Sequence, residues 1–155
     1  MTDRPKLVYH YTPKLPEIVE SGEIRPLNSR NDLIRPAVWF SLDDRFWNNQ
    51  RTVNGGPDLA GVERWYAEEG CTVARIGVDA ALAPYTLKQV FKLSGRESEL
   101  FRRQQWIRLT EPTELAPMKL WRATFSPVPA YQWQSIEVLH NGQWLPYEPQ
   151  QQEAA

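Results

Sequence analysis

The residue types best suited to chemistry begin near the start of the chain with His10, one of only two histidines. It lies in the segment KLVYHYT at positions 6–12, whose β-branched and aromatic residues, followed by a proline, predict a strand that ends in a turn. Side chains alternate along a strand, so His10 and Thr12 are expected on one face. Tyr9 and Tyr11 then point to the other. An imidazole beside a hydroxyl suits a sugar hydroxyl or an amide, but it also fits a core histidine bonded to a neighbouring hydroxyl.

A second candidate pair lies in the segment AVWFSL at positions 37–42, which predicts another strand. Alternation places Trp39 and Ser41 on one face and Phe40 on the other. An indole next to a hydroxyl can stack on a heteroaromatic ring and bond its amide. The alternative is that Trp39 and Phe40 both fill the core. If the strand faces converge, one cleft is lined by four residues: His10, Thr12, Trp39 and Ser41.

The third candidate is Glu137, which stands between Ile136 and Val138 in a late predicted strand at 135–140. An ionised carboxylate among β-branched residues is costly to bury unless it is paired or faces a cleft. A sheet with one solvated face explains the same pattern. If this strand lies opposite the strands that carry His10 and Trp39, however, the three side chains form a candidate catalytic group.

The elements that would position these residues are short strands mixed with short helices, which predicts an α+β fold. Asn141-Gly142 is a strong hairpin signal after the late strand. The segment 86–93 fits either a helix or an extended strand, and 126–130 is expected to be a rigid loop. The segment 48–58 is either a lid over a cleft or a surface loop. The other predicted elements are helices at 14–21, 59–69 and 97–105 and strands at 71–78, 121–125 and 143–145.

Composition limits the class of protein. With 155 residues, 41% hydrophobic and 24% charged, one domain is expected over 1–147, followed by a disordered polar tail over 148–155. The net charge of −1 gives no overall field that would draw the chain onto nucleic acid or an anionic membrane. A single cysteine and two histidines make a metal site improbable. No apolar segment resembles a leader or a membrane span, so we expect a cytoplasmic protein without a membrane partner.

The order of four motifs carries a resemblance to a known family. A strand with VYHYT, a helix that ends in SG followed by EI, a strand with VWFS and a late strand with SIEVL resemble the ADP-ribosyltransferase fold. The match is to its His-Tyr-Glu class, which includes diphtheria toxin and the poly-ADP-ribose polymerases. It spans roughly residues 6–145. The resemblance implies a split antiparallel β-sandwich with short flanking helices, and it implies NAD as substrate.

The resemblance also implies a role for each candidate. His10 would contact the adenosine ribose of NAD, with Tyr11 and Thr12 beside it. Trp39 stands where the family has a tyrosine that stacks on nicotinamide, so it keeps the stacking and lacks the hydroxyl. Phe40 and Ser41 would complete that second motif. Glu137 would orient the nicotinamide ribose as the catalytic carboxylate, together with His10 and Trp39. Ser135 stands where arginine-directed relatives carry a second acid.

The implied reaction transfers ADP-ribose from NAD to a macromolecular acceptor, either protein or nucleic acid. Cleavage of the nicotinamide–ribose bond passes through an oxocarbenium-like cation that a nearby carboxylate stabilises. Such a transferase would serve as a bacterial or phage toxin, effector or defence component. The alternatives are a non-catalytic module that binds ADP-ribose or another nucleotide, or that acts as an inhibitor, and an RNA phosphotransferase-like relative of the same fold.

Overall fold

The computed structural model describes residues 6–26, 34–42, 59–96, 98–99, 102 and 121–147. These residues form nine strands and three helices long enough to name here, with two single turns of 3-10 helix between them. In chain order they are β1 (Leu7–Thr12), α1 (Leu15–Ser21), β2 (Glu23–Ile24), β3 (Val38–Ser41), α2 (Leu59–Glu68), β4 (Ala74–Asp79), β5 (Tyr85–Thr86), α3 (Leu87–Leu93), β6 (Trp121–Thr124), β7 (Val128–Pro129), β8 (Trp133–His140) and β9 (Gln143–Pro146).

Seven of the described strands form one sheet in the order β5-β6-β3-β1-β4-β8-β9, and β2 pairs with β7 in a separate two-stranded sheet. All pairings are antiparallel. The α+β class predicted from the sequence is therefore confirmed. The order places β1, which carries His10, between β3, which carries Trp39, and β4.

Local signals explain where the helices begin and end. Pro16 stands in the first turn of α1, where its missing N–H costs nothing, and Gly22 closes the helix in the left-handed region with φ 77°. The segment 86–93, which the sequence left undecided, is helical because Thr86 and Gln89 form a capping box at the start of α3. The Thr86 hydroxyl accepts from the Gln89 N–H at 3.2 Å, and the Gln89 side chain accepts from the Thr86 N–H at 2.8 Å.

The main hydrophobic core lies on the sheet face of Val8, Phe40 and Ile76, against α1 and the β2-β7 pair. Every second residue of the central strands points into it, as the alternation of strand side chains requires. Leu15 of α1 and the two-stranded sheet cover this face. The fully or nearly buried residues of this core also include Ile24, Val38, Ala74, Val78, Ala83 and Val128.

The opposite face of the sheet is covered at two separate places. Tyr66 of α2 packs with Val73 and Leu139 at one end. At the other end, α3 packs through Val90 and Phe91 against a group that includes Trp39. Between these two contacts the register brings five residues of three strands onto the same face: Tyr9, Arg75, Gly77, Ser135 and Glu137. We call these five residues the central strip.

Glu63 on α2 ties this helix to the β8-β9 hairpin. Asn141 and Gly142 both have positive φ, 52° and 75°, as the two-residue turn predicted from Asn-Gly requires. The two carboxylate oxygens of Glu63 accept from the backbone N–H groups of Asn141 at 3.0 Å and Gly142 at 2.8 Å. The hairpin turn is therefore held by a helix that lies next to it on the sheet.

Some sequence expectations differ from the structure. The segment 126–130 was expected to be a loop, but Val128 and Pro129 pair with β2 as strand β7. Two-residue strands carry too little periodicity to be recognised. Strand β8 begins at Trp133 rather than at 135. The possible lid at 48–58 and the tail at 148–155 lie outside the described residues, as does most of the helix expected at 97–105. Within the described part of the chain, no helix has the length and apolar character needed to cross a membrane.

Replacing the Glu63 carboxylate tests the connection between α2 and the hairpin. Glu63→Gln keeps one acceptor oxygen but removes the charge and one of two charge-assisted hydrogen bonds. We expect the free energy of unfolding in urea to fall by about 1–2 kcal/mol. Glu68→Gln on the same helix, where the side chain is exposed, is the matched control. Equal unfolding midpoints for the two variants would show that the carboxylate does not hold the turn.

Candidate functional site

A cavity of about 150 Å³ opens between β1 and β3. Five of its seven lining residues are aromatic, and the other two are a histidine and a serine. This combination gives stacking surfaces with a few polar groups, which is the usual make-up of a ligand pocket. The lining residues are Tyr9, His10, Tyr11, Trp39, Phe40, Ser41 and Trp121.

The cavity lies where β1 and β3 part. Among the described residues, the two strands pair at one position, Tyr9 opposite Ser41. Further along, Nδ1 of His10 lies 2.8 Å from the backbone oxygen of Trp39. A carbonyl only accepts, so Nδ1 carries the hydrogen and donates it. The His10 side chain therefore donates to a backbone carbonyl that would otherwise accept from a backbone N–H of the neighbouring strand.

This hydrogen bond sets the chemistry of the imidazole. Burial lowers the pKa of His10 from its usual value of 6.5, and the hydrogen bond to the Trp39 carbonyl opposes that shift only in part. His10 is therefore neutral at pH 7. Because Nδ1 holds the proton, Nε2 is an acceptor. The ring also packs edge-on against Phe40, with centroids 5.8 Å apart.

Trp39 belongs both to the cavity and to the core. It packs against residues of α3 and β6, and its ring meets Trp121 edge-on with centroids 5.4 Å apart. Trp121 stands opposite Ser41 on the neighbouring strand β6. The Nε1–H of Trp121 is buried and has no hydrogen-bond partner among the described residues. An unpaired buried donor is costly, and a ligand acceptor would relieve that cost.

Glu137 lies outside this cavity, in an ion pair with Arg75. Nε of Arg75 is 2.8 Å from Oε1 of Glu137, and the two residues stand opposite each other on β4 and β8. The Arg75 side chain is 9% exposed and that of Glu137 is 25% exposed. Burial works to lower the pKa of Arg75, but hydrogen bonds with Glu137 and Tyr11 outweigh it and raise that pKa. Arg75 stays charged, and Glu137 is its counter-ion.

The structure brings some predicted site residues together and leaves others apart. His10, Tyr11, Trp39, Phe40 and Ser41 all line the cavity. Thr12 is not among its lining residues; it is buried, and its hydroxyl accepts from the Lys14 N–H at 3.0 Å in the turn before α1. Thr12 therefore lies outside the cleft that was expected to contain it. The expected convergence of strand faces is also wrong, because Tyr9 pairs with Ser41 and this puts Trp39 and Ser41 on the sheet face away from His10.

Glu137 stands two strands away from β1, with β4 between them. At the usual strand spacing this is about 10 Å. Its assignment as the catalytic carboxylate stays a prediction. Glu137 also contributes to stability, because Glu137→Gln would deprive the buried Arg75 guanidinium of its counter-charge.

Sequence reasoning missed three residues of this region: Tyr9, Arg75 and Trp121. Alternation predicts that Tyr9 lies on the face away from His10, and the register keeps it there, yet both residues line the same cavity. Trp121 carries no signal by itself in the segment WRAT. Arg75 did carry one, since it is the only charge in the predicted strand at 71–78, as Glu137 is in the predicted strand at 135–140. Two such charges of opposite sign predict a pair.

Among the described residues, no group of three or more histidine, cysteine, aspartate or glutamate side chains is placed to hold a metal ion. The chain matches no protein-family model, and neither the curated proteins nor the solved structures contain a significant match.

The lowered pKa of His10 predicts a dependence of stability on pH. The folded state binds protons at His10 less readily than the unfolded state does. The stability from His10 is therefore complete above about pH 6.5 and is lost as the pH falls toward the lowered pKa of the folded protein.

Melting temperatures measured between about pH 7 and about pH 5 test this dependence. His10→Asn keeps an amide N–H near the Trp39 carbonyl and cannot titrate, so its melting temperature should fall less steeply than that of the wild type. His140→Asn, at an exposed histidine, should keep the wild-type slope. A His10→Asn slope identical to the wild type would refute the assignment.

Proposed function

We propose that this protein is an NAD-dependent ADP-ribosyltransferase whose cavity between β1 and β3 takes the nicotinamide ring. The observation that carries the proposal is the size and lining of the cavity. Its volume of about 150 Å³ equals that of an engineered protein cavity that holds one benzene molecule. Nicotinamide is a single six-membered ring with a carboxamide. Trp39 and Trp121 offer aromatic surfaces on which such a ring can pack.

The polar groups around the cavity suit the rest of the ligand. The Nε2 atom of His10 is an acceptor for a ribose hydroxyl, because the bond to Trp39 fixes the tautomer. The Nε1–H of Trp121 is a buried donor without a described partner, and a carboxamide oxygen is the kind of acceptor it needs. A donor, an acceptor and aromatic walls together match a nicotinamide nucleoside better than a phosphate. The third sequence alternative, an RNA phosphotransferase-like protein, is therefore disfavoured.

The fold supports the proposal only at the level of the α+β class. The described strands form one antiparallel sheet of seven strands and a separate two-stranded sheet, whereas the split β-sandwich is what the resemblance implies and remains part of the proposal. We propose a macromolecule, protein or nucleic acid, as the acceptor of ADP-ribose, and a toxin, effector or defence role for the chain.

A second candidate function is a non-catalytic module that binds NAD, ADP-ribose or a related nucleotide. The position of Glu137 favours it. No carboxylate is among the described residues that line the cavity, and an oxocarbenium-like cation needs a stabilising charge close to it. The non-catalytic module would use the same cavity as the transferase, and it would bind NAD without cleaving it.

Substitution of Trp39 tests the ligand in the cavity. Trp39→Ala should weaken NAD binding by about 1–2 kcal/mol if stacking is its role. Trp39→Tyr keeps a ring and should restore much of that affinity. Because Trp39 also packs against α3, circular dichroism must show that each variant is folded. A folded Trp39→Ala variant with wild-type affinity for NAD would place the nicotinamide elsewhere.

Incubation of the wild-type protein with NAD labelled in its adenylate part, in a cell lysate, separates the two candidate functions. A transferase should release nicotinamide and label a macromolecule. The class of that macromolecule is read by digestion with protease or nuclease. Binding of NAD in calorimetry without release of nicotinamide in several lysates would instead establish the non-catalytic module. Absence of both binding and turnover would reject NAD as the ligand.

A further inference from the structure

Arg75 connects the ion pair to the wall of the cavity. Its guanidinium carbon lies 4.3 Å from the ring centroid of Tyr9 and 4.5 Å from that of Trp144, and Tyr11 shares a hydrogen bond with it. Tyr9 and Tyr11 line the cavity, whereas Arg75 and Glu137 do not. The guanidinium is therefore in contact with two cavity residues on one side and with Glu137 on the other.

The surroundings of the Tyr9 ring are equally restricted. It stands opposite Gly77 in the register, and a Cβ atom added at Gly77 would come within 3.3 Å of its Cε1 and 2.5 Å of the Ser135 hydroxyl. The ring thus lies close over the backbone of β4. The Arg75 guanidinium restricts the Tyr9 ring further, because a planar guanidinium stacks on an aromatic face in a way that an ammonium group cannot reproduce.

We propose that Arg75 is a positioning residue for the cavity and that Glu137 acts on the cavity through Arg75 rather than on the ligand. Glu137 fixes the orientation of the guanidinium through Nε, and the guanidinium fixes Tyr9 and Tyr11. The ion pair then sets the shape of a ring-binding site that it does not touch. This inference rests on the proposed function in its choice of nicotinamide as the probe and of NAD as the substrate in the kinetic test.

Binding of nicotinamide, measured by calorimetry, is the first test. Arg75→Lys keeps the charge but loses the stacked plane, and we expect its affinity for nicotinamide to fall about tenfold because the tyrosine wall is no longer preorganised. Glu137→Gln should lower the affinity in the same direction. The double variant Arg75→Leu with Glu137→Leu replaces a buried pair by apolar side chains, a change that often leaves stability intact. Its affinity should stay as low as that of Arg75→Lys.

Glu63→Gln is the matched control for loss of stability. It weakens the contact between α2 and the hairpin without touching the cavity, so its affinity for nicotinamide should equal that of the wild type. If Arg75→Lys and the double variant bind nicotinamide as the wild type does, the inference is overturned. If Glu63→Gln loses as much affinity as Arg75→Lys, stability rather than positioning explains the effect, and the inference is again overturned.

Steady-state kinetics separate positioning from catalysis at Glu137. Positioning predicts that Glu137→Gln raises the KM for NAD and leaves kcat near the wild-type value. A carboxylate that stabilises the transition state predicts the reverse, with kcat reduced about 100-fold and binding unchanged. The second result would overturn the inference and establish Glu137 as a catalytic residue.

A ligand-free measurement keeps the inference testable if the proposed function fails. Ring flipping of Tyr9 and Tyr11 is measured by NMR in the wild type, Arg75→Lys and Glu63→Gln. Positioning predicts slow flipping in the wild type and in Glu63→Gln, and faster flipping in Arg75→Lys. Flipping rates that are the same in all three proteins would overturn the inference. Slow flipping with no binding of NAD or nicotinamide would reject the proposed function alone.

Discussion

A half-buried ion pair between Arg75 on β4 and Glu137 on β8 constrains how the strands of the sheet pair. Arg75 can lie where it does only because Glu137 stands opposite it, since an unpaired guanidinium in this position would be strongly destabilising. The pair fixes the register of β4 against β8, and Tyr11 opposite Arg75 extends that register to β1. A slip by one residue would turn Arg75 into the apolar core on the other face. The Arg75–Glu137 ion pair thus specifies how these strands pair, and in our proposal it also sets the shape of the cavity.

Much of the fold could be predicted from the sequence because its signals are local. Gly22 after an amphipathic segment, and Asn141-Gly142 between two strands, each act within a few residues and form as predicted. The pairing of β2 with β7 could not be predicted, because two residues show no period and their partners are about a hundred positions away. The segment of α3 was ambiguous by its apolar spacing, and a capping box at Thr86 decides it.

The candidate site was predictable in part, again because some of its signals are local in the sequence. Alternation along each strand assigns His10 and Trp39 to faces, and both residues line the cavity. The pairing of Tyr9 with Ser41, however, puts Trp39 on the sheet face of Tyr9 and His10 on that of Phe40. Alternation says nothing about which strand lies beside which. The placement of β4 between β1 and β8 separates Glu137 from the cavity and puts Arg75 beside Tyr9. That order follows from long-range pairing, which single-sequence patterns do not encode.

Strand pairing is uneven across the sheet. Among the described residues, β1 pairs with β4 at six positions, β4 with β8 at five and β3 with β6 at four, whereas β1 and β3 share one residue pair and the hydrogen bond from His10 to the Trp39 carbonyl. Within this part of the chain, separating β1 from β3 would therefore break fewer backbone hydrogen bonds than separating β4 from β1 or from β8.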